Sequence, residues 1–234
     1  MRGNSYILFH RSFKNNCMTI QLDHLIPVPL RDKVLQQASG VWNQALTWQA
    51  GQFVKINAPS GTGKTTLMHY LYNIRYDYTG SISLDGRPWP TFSKNEVAGL
   101  RQQQLSVIFQ DLRLFDQLTA WENINLKRSM SGDQPFCSEE RVQEMAGALQ
   151  VSHILHQSAK TLSYGERQRI AIIRALVQPF VWLFMDEPFS HLDEVNTARA
   201  AQLITEECRH RQAGFVLTDL DTDQHFDYHV HHHL

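Results

Sequence analysis

An α/β fold built on a parallel sheet is predicted by three observations. A β-rich run, Phe53–Asn57, breaks into the glycine-bearing stretch Ala58-Pro59-Ser60-Gly61-Thr62-Gly63-Lys64-Thr65-Thr66 and resumes as a helix. A second apolar run, Val181–Met185, ends abruptly in Asp186-Glu187-Pro188, as a buried parallel strand does on reaching the polar edge of its sheet. Strand-like and helix-like segments alternate around these two, the pattern of a sheet with helices on its faces and ligands at its strand ends.

In chain order, Thr19–Leu30 and Gly40–Trp48 carry β-rich patterns broken by Pro27, Pro29 and Gly40, which suits a small antiparallel sheet ahead of the loop. After the loop, Leu67, Tyr70, Leu71 and Ile74 recur at helical spacing and give an amphipathic helix. Ser81–Leu84 with Asp85-Gly86 reads as strand and turn, and Leu105–Phe109 as a buried strand ending at Gln110. From Thr119 to Ala159 the texture is helical: Thr119 and Glu122 form a capping-box pair, residues 129–135 interrupt, and Val142, Met145, Ala146 and Leu149 restart the stripe. A helix from Ser163 to Gln178 is stopped by Pro179, a long helix spans Glu194–Arg211, and Phe215–Thr218 reads as the final strand.

The 58–66 stretch reads as a phosphate-binding loop. Gly61 and Gly63 let successive backbone N–H groups converge on an anion, and the helix that follows adds its positive end. Lys64 would reach the β- and γ-phosphates, and the Thr65 hydroxyl would hold Mg²⁺. The first position of the usual G-x-x-x-x-G-K-[ST] pattern is Ala58; alanine fits there if its φ stays negative, its methyl being small. Asp186, at the end of an apolar strand, stands where such a fold places the carboxylate that completes the Mg²⁺ shell. Glu187 beside it is placed to orient or deprotonate an attacking water.

A formal net charge of −1 and a pI near 6.9 give no electrostatic case for nucleic acid or anionic lipid as main partner. No run approaches the roughly 18 apolar residues of a membrane-spanning helix. Cys17, Cys137 and Cys208 are far apart and show no metal or disulfide spacing, which suits a reducing cytoplasm. Residues 1–18 read as a disordered extension, with Met18 an equal candidate for the start, and residues 225–234 as a solvated, His-rich tail. Trp42, Trp48, Trp89 and Trp182 read as packing residues.

Leu162-Ser163-Tyr164-Gly165-Glu166-Arg167-Gln168 discriminates further, and here the chain resembles the ATP-binding cassette (ABC) family, whose signature is Leu-Ser-Gly-Gly-Gln at a helix start. Ser163 and Gly165 keep the capacity to meet an anion there, Tyr164 and Glu166 are departures, and Ser163 with Glu166 also reads as a plain capping box. The resemblance extends over about Thr19–Thr218: Gln110 matches the family's Q-loop glutamine, and Ser190-His191-Leu192-Asp193 its D-loop. Phe109–Phe115 and Thr119–Ile124 look most like the cell-division and lipoprotein-releasing branch.

The resemblance implies a P-loop NTPase (RecA-like) core with an N-terminal antiparallel β subdomain and a helical subdomain inserted at about 111–165, the cassette spanning 19–224. It implies ATP and Mg²⁺ as ligands. Ala58 to Thr66 would hold the phosphates, with Ser163, Gly165, Glu166 and Asp193 facing a partner cassette's nucleotide. Thr65, Gln110 and Asp186 would surround the metal, and Glu187, Lys64 and Gln110 would act in catalysis. It further implies an ATP-hydrolysing subunit that dimerises around Mg-ATP and drives or gates a separately encoded permease-type or division-complex membrane protein at the inner face of the cell membrane. The alternative is a slow or non-hydrolysing switch on such a complex. A P-loop small-molecule kinase would use Lys64 and Asp186 but leave Leu162–Gln168 and Ser190–Asp193 without a role.

Two positions depart from the family. After the last strand, where it places a histidine near the γ-phosphate, this chain has Asp219, a carboxylate that would repel phosphate unless protonated or bridged by metal or water. No aromatic occurs from Cys17 to Val41 to stack on adenine; His24 is the one ring available, and reads as a surface residue.

Overall fold

The computed structural model describes residues 18–130, 134–220 and 225–234. The extension expected at 1–17 lies outside the described residues. Met18 belongs to the folded part: it is buried, and its carbonyl accepts the Trp182 indole N–H at 3.0 Å.

Two sheets form. The first joins β1 (Thr19–Pro27), β2 (Ala45–Gln49), β4 (Tyr78–Leu84) and β5 (Arg87–Pro88) in the antiparallel order β2-β1-β4-β5. The second is wholly parallel and joins β3 (Phe53–Asn57), β6 (Leu105–Ile108), β7 (Trp182–Asp186), β8 (Gly214–Asp219) and β9 (Val230–His233) in the order β6-β7-β8-β3-β9. Parallel strands need crossovers, and helices supply most of them. The helices are α1 (Arg31–Gln36), α2 (Lys64–Leu71), α3 (Lys94–Gln103), α4 (Ala120–Arg128), α5 (Glu139–Ala148), α6 (Tyr164–Leu176) and α7 (Glu194–Arg211).

Alternation along the parallel strands sorts their side chains onto two apolar layers. Val54, Ile56, Trp182, Phe184 and Val216 pack with α2 and the antiparallel sheet, together with Trp42, Trp48 and Trp89. Phe53, Leu183, Met185, Phe215 and Leu217 face the other layer, built from α4 to α7. Both faces are therefore covered, which is why these strands read as unbroken apolar runs. Capping boxes start α4 (Thr119 with Glu122) and α6 (Ser163 with Glu166), as the sequence predicts.

The structure differs from the sequence reading in three places. α1 lies between the two stretches read as β-rich, in residues given no element, and the first of those stretches ends early: Pro27 and Pro29 end β1 and open a short turn of 3₁₀ helix that leads into α1. α3 also goes unpredicted, although Ser93 and Glu96 cap it in the S-x-x-E pattern. The segment from His225 is not a solvated tail. β9 covers the outer edge of β3, where unpaired N–H and C=O groups take up Val230–His233 in register with Val54–Asn57, and Phe226 packs among Phe53, Phe189 and Phe215.

Candidate functional site

Because all five strands run parallel, the carboxyl ends of β3, β6, β7 and β8 lie along one edge, and each carries a polar residue there. β3 leads into the 58–63 loop, β6 into Gln110, β7 ends in Asp186, and β8 in Asp219. β8 separates β3 from β7, yet the side chains meet in front of it.

The loop is shaped by its backbone. Gly61 and Gly63 hold φ of +76° and +105°, a region that penalises any Cβ, and a Cβ on Gly63 would also stand 2.8 Å from Leu30 Cδ1. Ala58 is not among the described residues with positive φ, so its methyl is accommodated. Supports from outside turn the loop's carbonyls outward: Trp42 Nε1 donates to Thr62 O at 3.1 Å and Lys33 Nζ to Gly61 O at 3.0 Å. Thr62 Oγ1 donates to Pro59 O at 2.7 Å. α2 then begins with no side-chain cap, so its first N–H groups face the site.

Around that helix start the predicted polar side chains form one connected set. Lys64 Nζ donates to Ala58 O at 2.8 Å and pairs with Glu187 Oε1 at 3.1 Å. Gln110 Nε2 donates to Glu187 Oε2 at 3.2 Å, and its Oε1 accepts from Thr65 Oγ1 at 3.3 Å. Thr65 Oγ1 also approaches Asp186 Oδ2 at 2.6 Å, and Thr218 Oγ1 donates to Asp186 Oδ1 at 2.8 Å. Burial holds the Asp186 carboxyl above its ordinary range, the two hydroxyls opposing that shift. Glu187 is itself in the left-handed region, φ 47°, and Gln168 Nε2 holds its carbonyl at 3.3 Å. A non-glycine residue held there is a strain found most often at functional sites.

These groups open into a cavity of about 380 Å³ lined by Leu30, Ser60, Gly61, Gly63, Lys64, Thr65, Thr66, Gln110 and Glu187. Phosphate-scale anions suit it: one lysine, a helix start and hydroxyls converge on its floor. Thr65 Oγ1, Gln110 Oε1 and Asp186 supply only oxygen donors, and a single carboxylate with hydroxyl and amide oxygens fits Mg²⁺, which is usually held by one or two carboxylates together with substrate phosphates.

The remaining predicted residues lie elsewhere. Ser163, Gly165, Glu166 and Asp193 do not line this cavity. Ser163 and Glu166 cap α6, while Asp193 caps α7 by accepting Asn196 N–H at 2.8 Å. His24 is exposed, directed at Asn43 and absent from the cavity lining, where the large apolar side chain is that of Leu30. Asp219 is met by groups of the protein itself: its Oδ2 lies 3.6 Å from Nζ of the buried Lys55, and its Oδ1 accepts Leu220 N–H at 2.7 Å. The negative charge expected to oppose phosphate is therefore compensated within the protein. Lys33 and Lys55 went unassigned in the sequence and Trp42 was read only as a packing residue, because each acts through a contact made only after the sheets assemble.

A strand, a glycine-bearing loop over an uncapped helix start, and a strand-end aspartate sharing a hydroxyl with that helix define a P-loop nucleoside-triphosphatase. The family model for the ABC transporter matches residues 41–190, and the chain belongs to that family as one of its ATPase domains. Among curated relatives it is similar to the cell division ATP-binding protein FtsE of Bacillus subtilis, 31% identical over 74% of this chain and 75% of that protein. It is also similar to the lipoprotein-releasing system ATP-binding protein LolD of Gluconobacter oxydans, 35% identical over 62% of this chain and 63% of that one. The macrolide export ATP-binding/permease protein MacB of Bdellovibrio bacteriovorus is 34% identical over 68% of this chain, which spans only 24% of MacB. Among solved structures, the dimeric bacterial ABC transporter cassette MJ0796 superposes with a TM-score of 0.73 at 24% identity, over 86% of this chain and 88% of that one. No helix among the described residues is long and apolar enough to cross a membrane.

Proposed function

We propose that this chain binds and hydrolyses Mg-ATP as the nucleotide-binding subunit of a membrane complex, closing as a dimer or paired cassette around ATP to drive or gate a separately encoded membrane protein. The supporting observation is the connected set Lys64–Glu187–Gln110–Thr65–Asp186 at the open start of α2. Lys64 and the amides of 61–66 hold the phosphates, with Ser60, Pro59 and Ala58 forming the loop around them. Thr65, Gln110 and Asp186 hold Mg²⁺, which when bound neutralises the charge on the phosphate oxygens. Glu187, released from Lys64 once phosphate takes that cation, faces the cavity to orient the attacking water. Ser163, Gly165, Glu166 and Asp193, outside this cavity, are the surface offered to the partner cassette's nucleotide. FtsE, LolD and MacB are named for division, lipoprotein release and export, which supports a membrane partner at the inner face of the cell membrane.

Glu187→Gln, which keeps the shape and removes the base, should give a stable dimer with Mg-ATP and turnover reduced by about 100-fold or more. Sedimentation of the variant with saturating Mg-ATP tests this, and a monomer that persists beside its membrane partner defeats it. The Lys55–Asp219 pair favours a second reading, a slow switch, because it leaves no titratable imidazole where the family places one. Turnover that stays below one per minute with the membrane partner present selects it.

A further inference from the structure

We propose that Tyr164 is a positioning residue that holds the backbone of Gln110; this rests on the reading of Gln110 as part of an ATP-hydrolysing site. Tyr164 stands where the family signature has glycine, and its side chain makes a contact that glycine cannot. Its hydroxyl donates to Gln110 O at 3.0 Å, while its ring lies against His191 with centroids 3.9 Å apart. The ring is thereby braced from the D-loop, and the hydroxyl has one direction to point.

What it holds is a strained segment. Leu112 and Arg113 both sit at positive φ, 57° and 48°, without being glycine, and such a pair persists only when its surroundings over-determine it. The second brace comes from the same helix: Arg174 of α6 donates to Leu112 O at 2.5 Å and to Arg113 O at 2.6 Å. α6 therefore grips the loop after β6 at three carbonyls, those of residues 110, 112 and 113. Tyr164 makes the contact closest to the chemistry. Both ends of the Gln110 amide are engaged, at 3.3 Å from Thr65 Oγ1 and 3.2 Å from Glu187 Oε2, so a small shift of its main chain uncouples it from both. In the proposed dimer, the segment that begins α6 faces the partner's nucleotide. The Tyr164 hydroxyl then joins that segment to the Gln110 of its own chain, and the placement of one site's glutamine follows the occupancy of the other.

Tyr164→Phe in the full chain keeps the ring on His191 and removes the hydroxyl alone. Hydrogen exchange of the amides at 111–114 should quicken by about 2- to 10-fold, the size of one hydrogen bond, with exchange elsewhere and the melting temperature unchanged. With turnover measured in parallel, kcat should fall by a similar factor of about 2 to 10 at unchanged KM for ATP. Unaltered exchange at 111–114 overturns the proposal, as does faster exchange throughout with a lowered melting temperature, which marks a merely structural residue. A wild-type chain with no turnover even beside a membrane partner refutes the ATPase reading instead, and the exchange comparison still decides on Tyr164.

Discussion

α2 and α6 both begin at a sequence rich in small polar residues, and both starts are candidate anion sites, yet they are finished in opposite ways. α2 follows a left-handed glycine and carries no side-chain cap. Its positive end stays open to the cavity, with the Lys64 ammonium beside it. α6 carries a complete capping box: Ser163 Oγ accepts the Glu166 N–H, and Glu166 Oε2 accepts both the N–H and the hydroxyl of Ser163. One helix start is built to wait for a ligand, and the other is satisfied by its own side chains. An anion approaching α6 meets a carboxylate that has already taken up part of the helix's positive end. The open helix start is therefore that of α2, and under the proposed function α6 would meet a nucleotide only as the surface it offers to a partner cassette.

The largest expected effect tests the open start. Lys64→Ala removes the cation that touches both Ala58 O and Glu187, and should cut kcat/KM for ATP by more than about 100-fold, read by steady-state hydrolysis. Turnover within a few-fold of wild type would end the assignment of α2 as the phosphate site. Gly63→Ala attacks the same start through the backbone. Its φ of +105° and the 2.8 Å approach to Leu30 Cδ1 should cost about 1–3 kcal/mol, visible as a lower melting temperature together with weakened nucleotide binding. At the capped start, Ser163→Ala should cost about 0.5–2 kcal/mol. This last effect carries a pH signature. The Ser163 hydroxyl and then its backbone N–H hold the Glu166 carboxyl below its ordinary value, so the carboxylate's share of the cap is complete above the ordinary value of 4.5 and is lost as pH falls through the lower folded one. The melting difference between wild type and Ser163→Ala should therefore shrink in acid; a difference that grew instead would mean that Glu166 is not what the cap holds.

The contrast also shows what could be read from the chain. Lys64, Thr65, Asp186 and Glu187 were legible because each lies in a contiguous string beside a strand end, where the chemistry and the local structure are written in the same residues. The capping boxes at Thr119 and Ser163 were legible for that reason. Lys55 was not: in the parallel register Asn57 lies opposite Asp219 and Lys55 opposite Leu217, and only that pairing brings the ammonium to the carboxylate. Trp42 was read correctly as buried, but its indole N–H on the loop needed α1 and the antiparallel sheet in place. α3 is a different case, because Ser93 and Glu96 spelled its start and were passed over. The last strand was hidden by composition, since Val-His-His-His has no apolar alternation and owes its conformation to the edge that receives it.

That edge gives β9 a role in handling as well as in folding. β3 carries the phosphate loop, and its last residue, Asn57, accepts a hydrogen bond from Leu234 N–H at 3.0 Å. Without the 229–234 stretch, the strand that positions the loop would become a bare border of the sheet, open to pairing with the same border of another molecule. A short deletion there would thus surface first as self-association of the protein, with damage to nucleotide binding following from it.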